Sequence, residues 1–216
     1  MAKRAGVVFD NDGLLLDTED AWTRAEVTLF ARCGLEFTVE HKRSLIGSAH
    51  AAAAVKLEAM LDLAGEGEAL MGELHELVME EALAGVAPRP GALMLIERLL
   101  EAGTPIAVAS NSRRDFVERT LSGAGLLDGR FEALVTVEDV AHPKPAPDIY
   151  LEACRRLEAE PVACAALEDS PPGAAAAPAA RLYVIGVPYF PGSELPGSDL
   201  LADSLSDPAV AAALGL

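Results

Sequence analysis

Five-residue apolar runs recur along the chain, and most stop at a polar or acidic side chain. Residues 5–9 stop at Asp10, 105–109 at Ser110, 133–137 at Glu138 and 163–167 at Glu168, with 183–187 as a fifth run. Short apolar runs without alternation fit strands buried on both faces, although length alone does not separate such a strand from a piece of buried helix. Punctuation decides. Segments 91–102, 115–124 and 146–158 carry apolar residues at helical spacing; Gly103 and Gly125 end the first two, and Pro145 and Pro147 open the third. Strands alternating with helices predict a parallel α/β sheet.

The interval from Thr18 to Val86 breaks that alternation. Helical patterns follow one another at 20–33, 39–46, 49–63 and 66–84, with Gly34, Gly47 and Gly65 as stops and Thr38 as a cap. A small helical unit is therefore expected between the first strand and its next helix, the return being marked by Val86-Ala-Pro-Arg-Pro-Gly91. The expected division is a catalytic core of residues 1–16 and 88–216 and a helical unit of 17–87, joined by two linkers that make a hinge. The alanine-rich stretches 51–54 and 174–177 lie within helical patterns and read as close packing.

Composition narrows the function classes. The 216 residues are 51% hydrophobic and 24% charged, which excludes a disordered or fibrous chain. No apolar run has the length of a membrane span, and Asp10 and Asp12 interrupt the opening MAKRAGVVFDND too early for a signal peptide, so a cytoplasmic location is expected. With 17 basic against 34 acidic residues, the net charge of −17 repels nucleic-acid backbones and anionic membranes. Any anionic substrate then needs a local cation. Cys33, Cys154 and Cys164 form an odd set without CxxC spacing, which fits reduced, partly buried thiols. His41, His50, His75 and His142 show no ligand spacing and read as surface residues.

In an open parallel sheet the site lies beyond the carboxyl ends of the strands. Those ends carry Asp10-Asn11-Asp12-Gly13, Ser110-Asn111-Ser112, Lys144-Pro145 in the loop after the third strand, and Glu168-Asp169-Ser170. Asp10, Asp12 and Asp169 together suit Mg²⁺, which takes one or two carboxylates and completes its octahedron with water and phosphate oxygens. Asp10 is then a candidate nucleophile toward phosphorus, and Asp12 a proton donor and acceptor for the leaving oxygen and the attacking water. Ser110 and Asn111 offer donors for phosphoryl oxygens, although Ser-Asn-Ser at such a turn is also a common helix cap. Lys144, stiffened by flanking prolines, places an ammonium where it would neutralise phosphoryl charge. Two adjacent carboxylates after an apolar strand are costly unless a metal and Lys144 satisfy them, with Asp169 as ligand and Glu168 in support. Gly173 and the following alanines let the next helix approach the sheet.

The order of these clusters resembles the haloacid dehalogenase-like hydrolase superfamily, in the subgroup with a helical cap inserted after the first motif. Residues 9–19 (FDNDGLLLDTE), Ser110-Asn111-Ser112, Lys144-Pro145-Ala146-Pro147-Asp148 and Glu168-Asp169-Ser170 with Gly173 match its four motifs in order, over roughly residues 5–187. The resemblance implies a Rossmann-like core, Mg²⁺ and phosphoryl transfer through an aspartate. It assigns Asp10 as nucleophile, Asp12 as acid and base, and the metal to the side chains of Asp10 and Asp169 and the carbonyl of Asp12. Where β-phosphoglucomutase-like members carry a histidine after the first motif this chain has Trp22, similar to sugar-phosphate phosphatases of the group. Its cap loop, with Gly47 and Ser48 as candidate substrate contacts, lacks the arginine expected of a mutase, for which Arg43 or Lys56 would have to substitute. Arg181 replaces the glycine that usually closes the turn after the fourth motif. The expectation is a Mg²⁺-dependent phosphatase of a small phosphorylated metabolite such as a sugar phosphate, a monomer or weak homo-oligomer, with a phosphosugar mutase as the alternative. A dehalogenase would need neither Asp12 nor the metal acids.

Overall fold

Six strands run parallel in a single sheet ordered β3-β2-β1-β4-β5-β6: β1 (Gly6–Phe9), β2 (Ile106–Ala109), β3 (Ala133–Val135), β4 (Cys164–Glu168), β5 (Tyr183–Gly186) and β6 (Leu200–Leu201). This computed structural model describes residues 3–83, 85–190 and 192–216. The four central strands are apolar on both sides because helices cover both faces. Val7, Phe9, Ile106, Val108, Leu167 and Ile185 share a core with α5 (Ala92–Glu101), α6 (Arg114–Gly123) and α9 (Pro208–Leu214). Val8, Ala107, Ala109, Ala166 and Val184 share the opposite core with α7 (Asp148–Arg156) and α8 (Pro171–Ala179). The alanines there permit close helix approach. The architecture is the Rossmann-like α/β fold.

Four helices fill the interval before α5: α1 (Glu19–Arg32), α2 (Val39–Leu45), α3 (His50–Leu61) and α4 (Gly67–Ala82). α4 packs against both α1 and α3. The chain leaves β1 and returns to α5 through adjacent segments, Asp17 N–H donating to Ala87 O (2.9 Å) and Arg89 N–H to Leu15 O (2.8 Å). The expected fourth helix extended to Ala84, which lies outside the described residues, as do Met1 and Ala2 of the expected core.

Several expectations need correction. The third strand stops at Val135, because Val137–Asp139 forms a 3-10 turn whose Asp139 carboxylate accepts the Thr136 N–H at 2.8 Å. Ser-Asn-Ser does not cap α6. Arg113 occupies that position, and the Glu138 carboxylate accepts the Arg114 N–H at 3.2 Å. His41 is no free surface residue: its Nδ1 accepts the Thr38 N–H in a reciprocal capping box, and its ring packs on Phe30 and Phe37. His75 also has a fixed partner, Asp115 at 3.1 Å, joining α4 to α6. Strand β6 and helix α9 escaped the pattern reading, β6 because two residues carry no periodicity. Helix α9 did carry a start signal, Asp207 capping Ala209 N–H ahead of Pro208.

Arg181, where the resemblance led to the expectation of a glycine, has a φ of +70°, in the left-handed region that favours glycine. Its N–H donates to Pro178 O at 2.9 Å, closing the end of α8, while the residue itself is exposed. A side chain in this region costs about 1–2 kcal/mol. Arg181→Gly is therefore expected to raise unfolding stability by roughly 1 kcal/mol, after the extra unfolded-chain entropy of glycine is offset. An increase in the urea midpoint at unchanged m-value would show it.

Candidate active site

The strand order places β1 between β2 and β4, so consecutive connections diverge from the β1–β4 seam and open a crevice at its carboxyl end. Phe9 pairs with Leu167, and Asp10 N–H donates to Leu167 O at 3.0 Å, so the next residues on the two strands, Asp10 and Glu168, emerge side by side. The Lys144 ammonium, from the loop ahead of α7, enters between them. Its Nζ donates to Asp10 Oδ1 (2.6 Å), Glu168 Oε1 (2.6 Å) and Ala109 O (2.8 Å), which uses all three of its donors. Tyr150 from α7 donates its hydroxyl to the same Glu168 oxygen. All of these groups are dry: Asp10 is 6% exposed, Lys144 3%, Asp169 3% and Glu168 0%.

Carboxylates of Asp10, Glu168 and Asp169 offer oxygens within 4.8 Å of one another. Both Asp169 oxygens are buried and lack any hydrogen-bond partner. Burial pushes Asp10 up to about 8, with Glu168 and Asp12 adding to the rise and Lys144 opposing it. Asp169 is raised well above the carboxylate range, first by burial and then by Asp10 and Glu168. Burial works against charge on Lys144, yet Asp10 and Glu168 outweigh it and hold its pKa above the ordinary lysine value. Three carboxylates and one ammonium leave two negative charges when ionised, in a place where unpaired charge is costly. An oxygen-only donor set with an unpartnered carboxylate fits a hard divalent cation.

Two glycines give this cluster its room. A Cβ on Gly173 would lie 1.9 Å from the Glu168 carboxyl carbon, and one on Gly13, whose φ is +77°, 2.3 Å from Asp169 Oδ2. Gly173 thus accommodates a carboxylate, where the sequence suggested only helix–sheet contact.

The other candidates are arranged differently from the simple expectation. The Asp12 carboxylate lies outside the three-carboxylate group and accepts from Ser110 Oγ (2.9 Å) and Ser112 Oγ (2.8 Å) at Oδ2. Ser110 therefore spends its hydroxyl on Asp12. The Asn111 amide donates to Gly47 O and Lys144 O, both at 3.1 Å, and its Oδ1 accepts the Lys144 N–H at 2.9 Å, tying the loop after α2 to the lysine loop. Above these residues is a cleft of about 650 Å³ including its open mouth, bounded below by Asp10, Asp12, Asn111, Ser112, Lys144 and Ser170. Trp22, Gly47 and Ser48 line its helical side, and the Trp22 ring also meets Phe116 edge-on at 5.3 Å.

Sequence reasoning named Glu19 and Ser112 within motifs without giving either a role of its own, and missed Glu26, Lys42 and Tyr150. The i, i+3, i+7 spacing of Glu19, Trp22 and Glu26 was a readable signal, since it puts all three on one helix face. Nothing local singles out Lys42 or Tyr150.

A sequence model of the haloacid dehalogenase-like hydrolase family matches residues 5–181. Fructose-1-phosphate phosphatase YqaB of Escherichia coli (strain K12) is 33% identical over 186 residues, covering 85% of this chain and 96% of that protein. Hexitol phosphatase B of the same organism is 30% identical over 190 residues, covering 84% and 82%. The crystal structure of CbbY from Rhodobacter sphaeroides in complex with phosphate is similar over 94% of this chain and 96% of that one, at 29% identity and a TM-score of 0.79. Two longer Arabidopsis thaliana relatives are matched over only part of their length, this chain spanning 18% of one and 48% of the other.

The glycine argument is directly testable. Gly173→Ala is expected to destabilise the protein by about 1–3 kcal/mol, since Glu168, held by Lys144 and Tyr150, has nowhere to move. Gly123→Ala, at a helical site with nothing within 4 Å, is expected to stabilise it by up to about 1 kcal/mol. Urea denaturation of the pair checks whether the space around Glu168, rather than glycine as such, sets the sign.

Proposed function

The chain belongs to the haloacid dehalogenase-like hydrolases, and from that premise we propose that it is a Mg²⁺-dependent phosphatase of a small phosphorylated metabolite, a sugar phosphate, acting through an aspartyl-phosphate. The observation that carries this reading is the convergence of the Asp10, Glu168 and Asp169 carboxylates, with Lys144 between the first two and both Asp169 oxygens unpartnered, where Asp10 and Lys144 reach the floor of a cleft roofed by α1–α4. In this reading those helices, residues 17–87, are a cap on the core of 1–16 and 88–216.

Lys144 holds Asp10 Oδ1, which leaves the second carboxylate oxygen of Asp10 to attack phosphorus while the bond from phosphorus to the sugar oxygen breaks. Protonated Asp12 donates to that departing oxygen, which leaves as a hydroxyl. Asp12, now ionised, takes a proton from the water that attacks the aspartyl-phosphate, releasing inorganic phosphate and restoring both aspartates. Ser110 and Ser112 keep the Asp12 carboxylate oriented through both steps. Asn111 positions Lys144, whose charge opposes the build-up of negative charge on the phosphoryl oxygens. A divalent ion held by the Asp10 and Asp169 carboxylates and the Asp12 carbonyl, with Glu168 beside them, would screen the repulsion between carboxylate and phosphate.

The named phosphatase relatives support hydrolysis over phosphoryl return to a sugar, as does Trp22 in place of a histidine. Neither candidate substitute for a mutase arginine lines the cleft: Arg43 stacks 5.5 Å from the Phe190 ring centre, and Lys56 Nζ donates to Ser44 O and Ser48 Oγ.

Asp10→Asn is expected to lower phosphate release from fructose 1-phosphate by at least about 1,000-fold, in the range seen when a covalent nucleophile is lost, with circular dichroism unchanged. Residual activity within tenfold of the parent counts against the covalent route. Stripping metal with EDTA should abolish turnover, and Mg²⁺ should restore it.

A further inference from the structure

Asn11 stands between Asp10 and Asp12, and the catalytic steps assign its side chain no role. Strand alternation puts Val7 and Phe9 on the face covered by α6, and Asn11 continues it: it is fully buried, and its amide meets Thr120, a buried residue of that helix. An amide in such a layer costs stability unless its hydrogen bonds are met, and this one is half met. Its Nδ2 donates to Asp12 Oδ1 at 3.3 Å and to Thr120 Oγ1 at 3.5 Å, while its buried Oδ1 has no partner among the described residues. Thr120 fixes which way the amide points. The hydroxyl proton goes to the carbonyls of Phe116 (3.0 Å) and Val117 (3.1 Å), so toward Asn11 the hydroxyl oxygen can only accept. A reversed amide would set acceptor against acceptor there, and again at Asp12.

The Asp12 carboxylate is consequently held at both oxygens. Oδ2 accepts from Ser110 Oγ and Ser112 Oγ, which uses both of its lone pairs. Among the described residues Oδ1 accepts from Asn11 alone, which leaves it one lone pair, and Asp12 borders the cleft. A proton on this carboxyl therefore has its place on Oδ1. A buried amide that leaves its own carbonyl unpaired while presenting its N–H groups marks a contact kept for function at the expense of stability.

We propose that Asn11, braced by Thr120, is a positioning residue for proton transfer, fixing the rotation of the Asp12 carboxyl so that Oδ1 is the oxygen that gives and takes the proton. In the first transfer the Oδ1–H bond breaks and an O–H bond forms on the departing oxygen, whose electron pair comes from the broken bond to phosphorus. In the second an O–H bond of water breaks, its oxygen bonds to phosphorus and the proton returns to Oδ1. This rests on the phosphatase reading and deepens it by naming the atom through which Asp12 works.

Asn11→Leu keeps the shape of the side chain and removes its donor, and Thr120→Val removes the brace at one remove from Asp12. Phenyl phosphate and p-nitrophenyl phosphate are the probes, because they share a ring and differ in how much the departing phenolate needs a proton. The quantity compared is kcat/KM, which covers the steps up to that departure and excludes hydrolysis of the aspartyl-phosphate. Asn11→Leu is expected to lower it about tenfold for phenyl phosphate, a fraction of what general acid catalysis supplies, and at most about threefold for p-nitrophenyl phosphate. Thr120→Val is expected to move the ratio of the two values in the same direction by about twofold. A merely structural role lowers both esters equally. A ratio unmoved in Thr120→Val or in folded Asn11→Leu, or moved the opposite way, overturns the proposal, and Thr120→Val decides alone if Asn11→Leu does not fold. Absence of phosphate release from either ester by the unmodified protein overturns the phosphatase reading itself, and this inference with it.

Discussion

Excess negative charge buried at the seam between β1 and β4 is the constraint around which the rest of this structure is arranged. Parallel register brings Asp10 and Glu168 out side by side, and Asp169 follows one residue later, so the backbone itself concentrates three carboxylates where water is scarce. Lys144 offsets one of those charges and has no donor left for another. Such a cluster is tolerable in a folded protein if a carboxyl keeps its proton, in the direction that burial pushes Asp10 and Asp169, or if its function supplies further positive charge. Features elsewhere follow from the same requirement. Gly173 and Gly13 have no side chain because the carboxylates fill that space, Tyr150 satisfies part of Glu168, and Asn111 fixes the loop that delivers the lysine.

The helical insertion is bound to this centre by more than its two connecting segments. One apolar core runs from Val7 and Phe9 in the sheet through Leu14–Leu16 to Leu29, Leu57 and Leu74 of the helices. Asn111 bonds to Gly47 in the loop after α2, and a Cβ on Gly47 would come within 2.8 Å of the Ser170 side chain. The cleft is thus roofed by groups fitted to its floor. Its two ends differ in character: cationic Lys144 beside the carboxylate cluster below, and the carboxylate-rich cluster around Lys42 above.

Much of this organisation was legible without coordinates. Five of the six strands, the helical interval between the first two and the polar residues at the strand ends follow from run length, periodicity and punctuation, because burial on both faces of a parallel sheet forces uninterrupted apolar segments. Asp10, Glu168 and Asp169 could be picked out because charge directly beyond such a segment is costly without a purpose, and Lys144 because flanking prolines fix its ammonium near that acidic edge. The motif order then identified the family, whose sequence model covers residues 5–181. Where local chemistry had two outcomes, sequence chose less well: Ser-Asn-Ser looked like a helix cap, whereas Arg113 takes that position and Glu138 meets the start of α6.

Sequence by itself determined which segments are buried, in what order they alternate and which residue types stand at the strand ends, since these depend on neighbours a few positions apart. Only the tertiary structure decided which of those groups touch. Lys144 lies 134 positions from the aspartate it binds, Ser112 exactly 100 from Asp12, and Lys42 reaches its glutamates from another helix. Contacts of that range are set by strand register and helix packing together, and no local periodicity encodes them.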